Sequence, residues 1–222
     1  MSNIVNDVVE DYIRHTLKDA DGLLKELEVF AEENSVPIVH KEVSDLLKVL
    51  LKMQKPQRIL EVGCAIGYSS ILFATTCEDN VDITTCERNP VMIERAKENI
   101  KRAGFENNIR ILEGDAVEQL KIVEGEFDMI FLDAAKGQYK LFYDLVIDKL
   151  KVGGVLISDN ILYKGMIASD DLVVRRKKTI VKRMRDYLDY ICNCDYLTTS
   201  LLPMGDGVAI SYKDSKRGEN KD

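Results

Sequence analysis

The stretch Arg58-Ile59-Leu60-Glu61-Val62-Gly63-Cys64-Ala65-Ile66-Gly67-Tyr68-Ser69 decides the fold. After Pro56 a short apolar run reads as a strand, two glycines make a turn, and residues 69–76 then read as a helix. Glycines at a strand-to-helix turn let the backbone approach a ligand closely. The alternation recurs downstream. Strands are predicted at 81–86, 109–112, 127–132 and 154–157, and helices at 91–103, from Ala116, at 139–150 and at 172–191. Residues 196–202 and 207–212 read as an antiparallel hairpin at the end. Repeated βα units imply an α/β fold, a doubly wound, mostly parallel sheet of seven strands covered on both faces. Such sheets bind ligands at the carboxyl ends of their strands, so the residues just after each strand are the ones to interrogate.

Before Pro56 the pattern is helical. Val5, Val8, Val9, Tyr12 and Ile13 recur at helical spacing, as do Leu23, Leu24, Leu27, Phe30 and Ala31, and residues 43–53 carry Leu46, Leu47, Leu50 and Leu51. We expect a helical extension over 1–55, a main unit over 56–214 and a flexible tail over 215–222, together one domain. The chain has 222 residues, 45% of them hydrophobic and 31% charged, with a net charge of −7, which suits a globular protein and excludes a disordered one. No apolar run approaches the ~20 residues that cross a bilayer, and residues 1–10 lack a signal pattern. Five cysteines form no framework spacing, so a reducing, cytoplasmic setting is expected. Cys192-x-Cys194 has no second pair to complete a metal site; Cys64 and Cys86 read as small buried hydrophobes, and His15 and His40 as surface residues.

The strand ends carry acids. Glu61 stands inside the glycine turn, where it would suit a cationic or zwitterionic ligand and repel a pyrophosphate. Glu87 ends the second strand, placed to accept hydrogen bonds from two ribose hydroxyls. Asp115 follows the third strand, facing an adenine or capping the next helix. The third glycine of the dinucleotide fingerprint is missing, which argues against a dinucleotide oxidoreductase. Asp133 follows the fourth strand and Asp159-Asn160 the fifth. Two carboxylates and a carboxamide on neighbouring strand ends are hard oxygen ligands, suited to Mg²⁺, with Mn²⁺ or Ca²⁺ as alternatives.

Residues 36–212 resemble the metal-dependent class I S-adenosylmethionine (SAM) O-methyltransferases, the group of catechol and caffeoyl-CoA O-methyltransferases. The motifs that carry the likeness are Glu61-x-Gly63-x-x-x-Gly67-Tyr68-Ser69, Asp133-Ala134-Ala135-Lys136, Ser158-Asp159-Asn160 and Leu202-Pro203-Met204-Gly205-Asp206-Gly207. Within the group, the Val36-Pro37-Ile38-Val39 segment, the short helical start and a basic helix are similar to bacterial tRNA methyltransferases that turn 5-hydroxyuridine into 5-methoxyuridine at the anticodon wobble position. The resemblance implies a Rossmann-like fold, a SAM site at Val39, Glu61, Gly63, Ser69, Glu87, Asp115, Ala116 and Asp133, metal ligation by Asp133, Asp159 and Asn160, Lys136 as the general base, and a homodimer. The aromatic that packs near the methyl donor in catechol enzymes has no counterpart, since Ala134 and Ala135 occupy that turn.

Chelation asks for an acceptor with two adjacent oxygens, one of them a hydroxyl. Catechols qualify, and so does 5-hydroxyuridine through its C4 carbonyl and C5 hydroxyl. Residues 164–185 bear eight basic and two acidic residues, +6 against −13 for the rest of the chain. On a helical wheel Arg175, Lys178, Lys182 and Arg185 fall opposite Ile180, Met184, Leu188 and Ile191, a stripe that would suit an RNA backbone. We therefore expect a tRNA acceptor, with small catechol-type compounds as the alternative. The other readings are an ordinary solvated helix face and a non-catalytic RNA binder that keeps the fold.

Overall fold

The computed structural model describes residues 4–78 and 81–219. Three helices lead, α1 (Asp7–Thr16), α2 (Gly22–Asn34) and α3 (Lys41–Gln54). The βα units follow as β1 (Arg58–Val62), α4 (Tyr68–Thr76), β2 (Asp82–Glu87), α5 (Pro90–Ala103), β3 (Ile109–Glu113), α6 (Ala116–Ile122), β4 (Phe127–Leu132), α7 (Tyr139–Val146), β5 (Leu150–Ser158) and α8 (Lys178–Cys192). β6 (Leu197–Leu202) and β7 (Val208–Lys213) finish the sheet. Among the described residues the seven strands run in the order β3-β2-β1-β4-β5-β7-β6, parallel up to β5 and antiparallel at β7 and β6. The α/β fold with a terminal antiparallel hairpin is as expected.

Alternation along β1 splits the core between the two faces. Leu60 and Val62 pack with Ile130, Tyr139, Tyr143, Met184 and Tyr187 under α6, α7 and α8. Ile59 packs with Leu27, Val43, Leu47, Phe73 and Phe131 under α2 to α5. Two of the leading helices thus share the layer of α4 and α5. α1 buries no residue and exposes Val8, Val9, Tyr12 and Ile13. Its Arg14 guanidinium bonds Glu42 at 2.7 and 2.9 Å.

Two expected helices are shorter than their patterns. Residues 172–191 do not form one helix, because the β-branched pair Val173 and Val174 is extended and separates the 3₁₀ turn at Asp170–Leu172 from the one at Arg175–Lys177, which runs directly into α8. Residues 139–150 end their α-helix at Val146, and the 3₁₀ turn Ile147–Lys149 leads straight into β5. At that junction the buried Lys213 ammonium donates to the Ile147 and Leu150 carbonyls at 2.7 and 2.6 Å, which satisfies helix-end oxygens with a charge-assisted bond. The expected flexible tail lies partly outside the described residues; within them, Arg217 reaches Asp144 at 3.8 Å. Residues 1–3 of the expected leader-free start also lie outside. No described helix is long and apolar enough to cross a membrane.

Candidate active site

The strand order reverses between β1 and β4, the switch point at which open α/β sheets bind ligands. The register aligns the tips there. Val62 pairs with Cys86 and Leu132, and Leu132 pairs with Ser158. The next residues, Gly63, Glu87, Asp133 and Asp159, therefore stand side by side along one sheet edge. Gly63 has φ +97°, and a Cβ there would lie 2.3 Å from the Asp133 carbonyl oxygen. Only glycine lets the two tips close to this distance.

A cavity of about 380 Å³ opens above the row. Val39, Gly63, Ser69, Glu87, Asp115, Ala116, Asp133, Lys136 and Asn160 all line it. Glu87 is held rigidly, its carboxylate accepting from the Arg88 and Asn89 amides at 2.9 Å and from Ala65 N at 3.1 Å. Asp115 caps α6 through Val117 N at 2.9 Å, as one of its sequence readings has it, and it also lines the cavity. Cys64 and Cys86 are buried in the cavity floor, and burial pushes the Cys86 thiol up to about 12.

Glu61 departs from expectation. It is fully buried beneath the turn, does not line the cavity, and accepts from the hydroxyls of Ser69 and Ser70. Burial outweighs those bonds and lifts its carboxyl to about 7. Glu61 therefore shapes the turn from below, which its place on the Ile59 side of β1 dictates.

At the other end of the cavity the Asn160 amide donates to Asp133 Oδ1 at 2.8 Å, and Asn160 N to Asp159 Oδ1 at 2.6 Å. Asn160 adopts φ +59°, in the left-handed region that asparagine tolerates better than most residues. Desolvation drives the carboxyls of both Asp133 and Asp159 upward, and for Asp159 the neighbouring Asp133 charge adds to it. Among the described residues no three His, Cys, Asp or Glu side chains converge on one point. What the tips present is two carboxylates and one amide, a half-shell of hard donors whose mutual repulsion a dication would relieve. The set fits an oxygen-coordinated cation that keeps open positions for water or substrate.

Lys136 begins the 3₁₀ turn Lys136–Gln138 and bonds Asp206 at 3.0 Å, with its ammonium 4.8 Å from the centre of the Tyr163 ring. Asp206 lies in the turn between β6 and β7 and also accepts from Lys164 N, which ties the segment after Asn160 to Lys136. The sequence motif 202–207 was visible, but not this function of its aspartate. Phe142 and Gln138 line the cavity as well, without having been singled out. His40 lies on the surface, 3.3 Å from Arg14.

The basic residues divide. Arg175, Lys178 and Lys182 are exposed as expected. Arg185 is not part of a free stripe, because its guanidinium is spent on the Met166 and Ile167 carbonyls and on Asp170 at 2.7 Å. Two other cations meet the turn at Lys136–Gln138 or the ring beside it. Lys177 lies 5.6 Å from the Tyr163 ring, and Arg183 reaches the Gly137 carbonyl at 3.4 Å.

The profile of the O-methyltransferase family matches residues 15–214. The chain belongs to this family. It is 30% identical over 177 residues to a catechol O-methyltransferase of Niastella koreensis, covering 77% of this chain and 80% of that one. A Staphylococcus aureus crystal structure provisionally named as a caffeoyl-CoA O-methyltransferase is 41% identical, with a TM-score of 0.83 over 93% of this chain and 98% of that one. An S-adenosylhomocysteine-bound methyltransferase from Podospora anserina is 25% identical, with a TM-score of 0.85 over 94% of this chain and 95% of that one. The Rossmann-like fold of an O-methyltransferase, expected from the motifs, is thus established.

Proposed function

We propose that this member of the family transfers a methyl group from SAM to one of two adjacent oxygens on its acceptor, with a divalent cation, Mg²⁺ in the first instance, held by Asp133, Asp159 and Asn160. The single observation that carries this reading is the set of one buried and one half-buried carboxylate and an amide on neighbouring strand tips at the cavity. The S-adenosylhomocysteine-bound relative supports SAM as donor. With SAM bound, Glu87 would accept from the ribose hydroxyls, Asp115 and Ala116 would border the adenine, and Gly63 and Asp133 the methionine part. When bound, the cation supplies Lewis-acid activation of an acceptor hydroxyl and chelates the two oxygens. The chain's own work is positioning: Asp133, Asp159 and Asn160 would fix the acceptor end, Gly63 and Glu87 the donor end, and Lys136 at the mouth, in its neutral form, would receive the acceptor's proton. The exposed apolar side of α1 supports a homodimer as part of the same reading.

The names of the relatives support a small catechol-type or caffeoyl-type acceptor, and this is the first reading of substrate. A second, 5-hydroxyuridine in tRNA, is favoured by the exposed cations Arg175, Lys178 and Lys182, by Lys177 and Arg183 at the Tyr163 ring and the Lys136–Gln138 turn, and by the small Ala134 and Ala135 where catechol enzymes place an aromatic wall. Incubation with SAM and Mg²⁺ on dihydroxyphenyl compounds and on tRNA carrying 5-hydroxyuridine separates the two. If tRNA is the acceptor, the triple charge reversal Arg175→Glu, Lys178→Glu, Lys182→Glu lowers kcat/KM on it by at least ~10-fold and flattens its salt dependence, roughly 0.7 to 0.9 in log–log slope per lost phosphate contact. Turnover of the dihydroxyphenyl compounds alone, with no effect of the reversal, removes the tRNA reading.

A further inference from the structure

Tyr139 is 1% exposed and opens α7, six residues beyond Asp133 in the chain. The 3₁₀ turn at Lys136–Gln138 swings it back beneath the row of strand tips. Its hydroxyl donates to the Asp159 carbonyl at 2.8 Å and to the Leu132 carbonyl at 3.1 Å, one proton shared between the two strands. The backbone ladder between those strands ends at the bond from Asp159 N to Leu132 O, 3.0 Å long. Past that point β4 runs on into Ala134 and Ala135, while Asn160 turns into a left-handed conformation. The Asp159 carbonyl is one end of the peptide that sets this turn. Past the ladder the tips are tied by the Asn160 amide's bond to Asp133 Oδ1 at 2.8 Å and by the Tyr139 hydroxyl, while the Asp133 charge bears on Asp159.

We propose that Tyr139 is a positioning residue for the cation site: its hydroxyl fixes the Asp159–Asn160 peptide against the end of β4, so that Asp133, Asp159 and Asn160 face a common point. This rests on the reading that these three residues hold a dication. Tyr139 touches no ligand itself and acts through the backbone of two that do. Oxygen ligands must meet a small dication at about 2.0 to 2.6 Å, so a loosened tip costs affinity even when every ligand remains in place.

Tyr139→Phe tests this by removing one oxygen. The ring still packs edge-on against Tyr187, whose centroid is 5.7 Å away. The control is Tyr143→Phe in the same buried cluster, where the lost hydroxyl pairs with Tyr196 at 2.6 Å and touches neither strand tip. Calorimetric titration of the full chain with Mn²⁺, with S-adenosylhomocysteine present, is expected to give a Kd raised about 10- to 100-fold in Tyr139→Phe, the range seen for outer-shell partners of metal ligands. Tyr143→Phe is expected to bind Mn²⁺ like the unmodified chain while melting lower. S-adenosylhomocysteine affinity should stay within about twofold in both. An unchanged Mn²⁺ Kd in Tyr139→Phe, an equal rise in Tyr143→Phe, or a parallel loss of S-adenosylhomocysteine binding overturns the proposal. If the unmodified chain binds no Mn²⁺, the cation reading falls with it; if it binds and Tyr139→Phe binds equally, only the role of Tyr139 falls.

Discussion

Asp159→Asn is expected to lose Mg²⁺ or Mn²⁺ binding by roughly two orders of magnitude or more, because it deletes one of two anionic ligands and not merely a group that supports them. Methyl transfer should fall in step and stay low at any practical Mg²⁺ concentration. The metal-free variant should nonetheless be at least as stable as the parent. Burial and the Asp133 charge hold the Asp159 carboxyl above its ordinary range, so its ionised form is a burden on the folded chain. The sign follows from proton counting. Between the unfolded and folded values the folded chain holds more protons, so stability without metal falls as pH rises from about 4 upward. Asn160 N can still donate to the asparagine oxygen, and the pH-linked loss is reduced. Metal affinity in the parent should climb over the same range, since the cation displaces protons from both carboxyls. Calorimetry and thermal melts between pH 5 and pH 8.5, roughly the span over which buried carboxyls titrate, check both arms. Full turnover of the parent in EDTA would contradict the chelation chemistry, and a variant that binds Mg²⁺ normally would remove Asp159 from the site.

Gly63→Ala is expected to damage stability and donor binding together. The new methyl would lie 2.3 Å from Asp133 O, 3.0 Å from Asp133 C and 3.2 Å from the Ala134 side chain, none of which is the far end of a flexible side chain. The positive φ adds about 1 to 2 kcal/mol and the overpacking about 1 to 3 kcal/mol. For a chain of this size each kcal/mol lowers Tm by roughly 2–4 °C, so a fall of about 5–15 °C is expected. Because the tip of β4 must move away, S-adenosylhomocysteine affinity should drop at least ~10-fold with it. An unchanged Tm with unchanged affinity would mean that the tips of β1 and β4 do not approach as described.

Much of this site was legible before any coordinates. A parallel sheet puts every strand's carboxyl end on one edge, so an acid just after a strand becomes a candidate by position alone. Asp115, Asp133 and Asp159 obey that rule just past their strands, and Glu87 as the last residue of its own. Glu61 misleads because it lies within its strand, and strand parity turns it to the face where Ser69 and Ser70 return from α4. Arg185 misleads differently. The wheel gives its angle on α8 correctly but cannot know that the segment carrying Met166, Ile167 and Asp170 folds back over it. Asp206, Tyr163 and Tyr139 escape for the same reason, since each acts across long-range contacts that no local pattern encodes. Gly207 hints at this only in hindsight: a Cβ there would strike Leu162 at 2.4 Å, evidence of two loops pressed together.

The position of β7 bears on how the molecule is made. Among the described strands it follows all the others in sequence, yet it is inserted between β5 and β6. Until it arrives, the edge of β5 is an unpaired row of backbone donors and acceptors in a nascent polypeptide, the kind of template on which chains aggregate. The Lys213 ammonium then closes carbonyls of a junction translated some sixty residues earlier. A chain lacking β7 would leave that edge of β5 open and this junction unfastened.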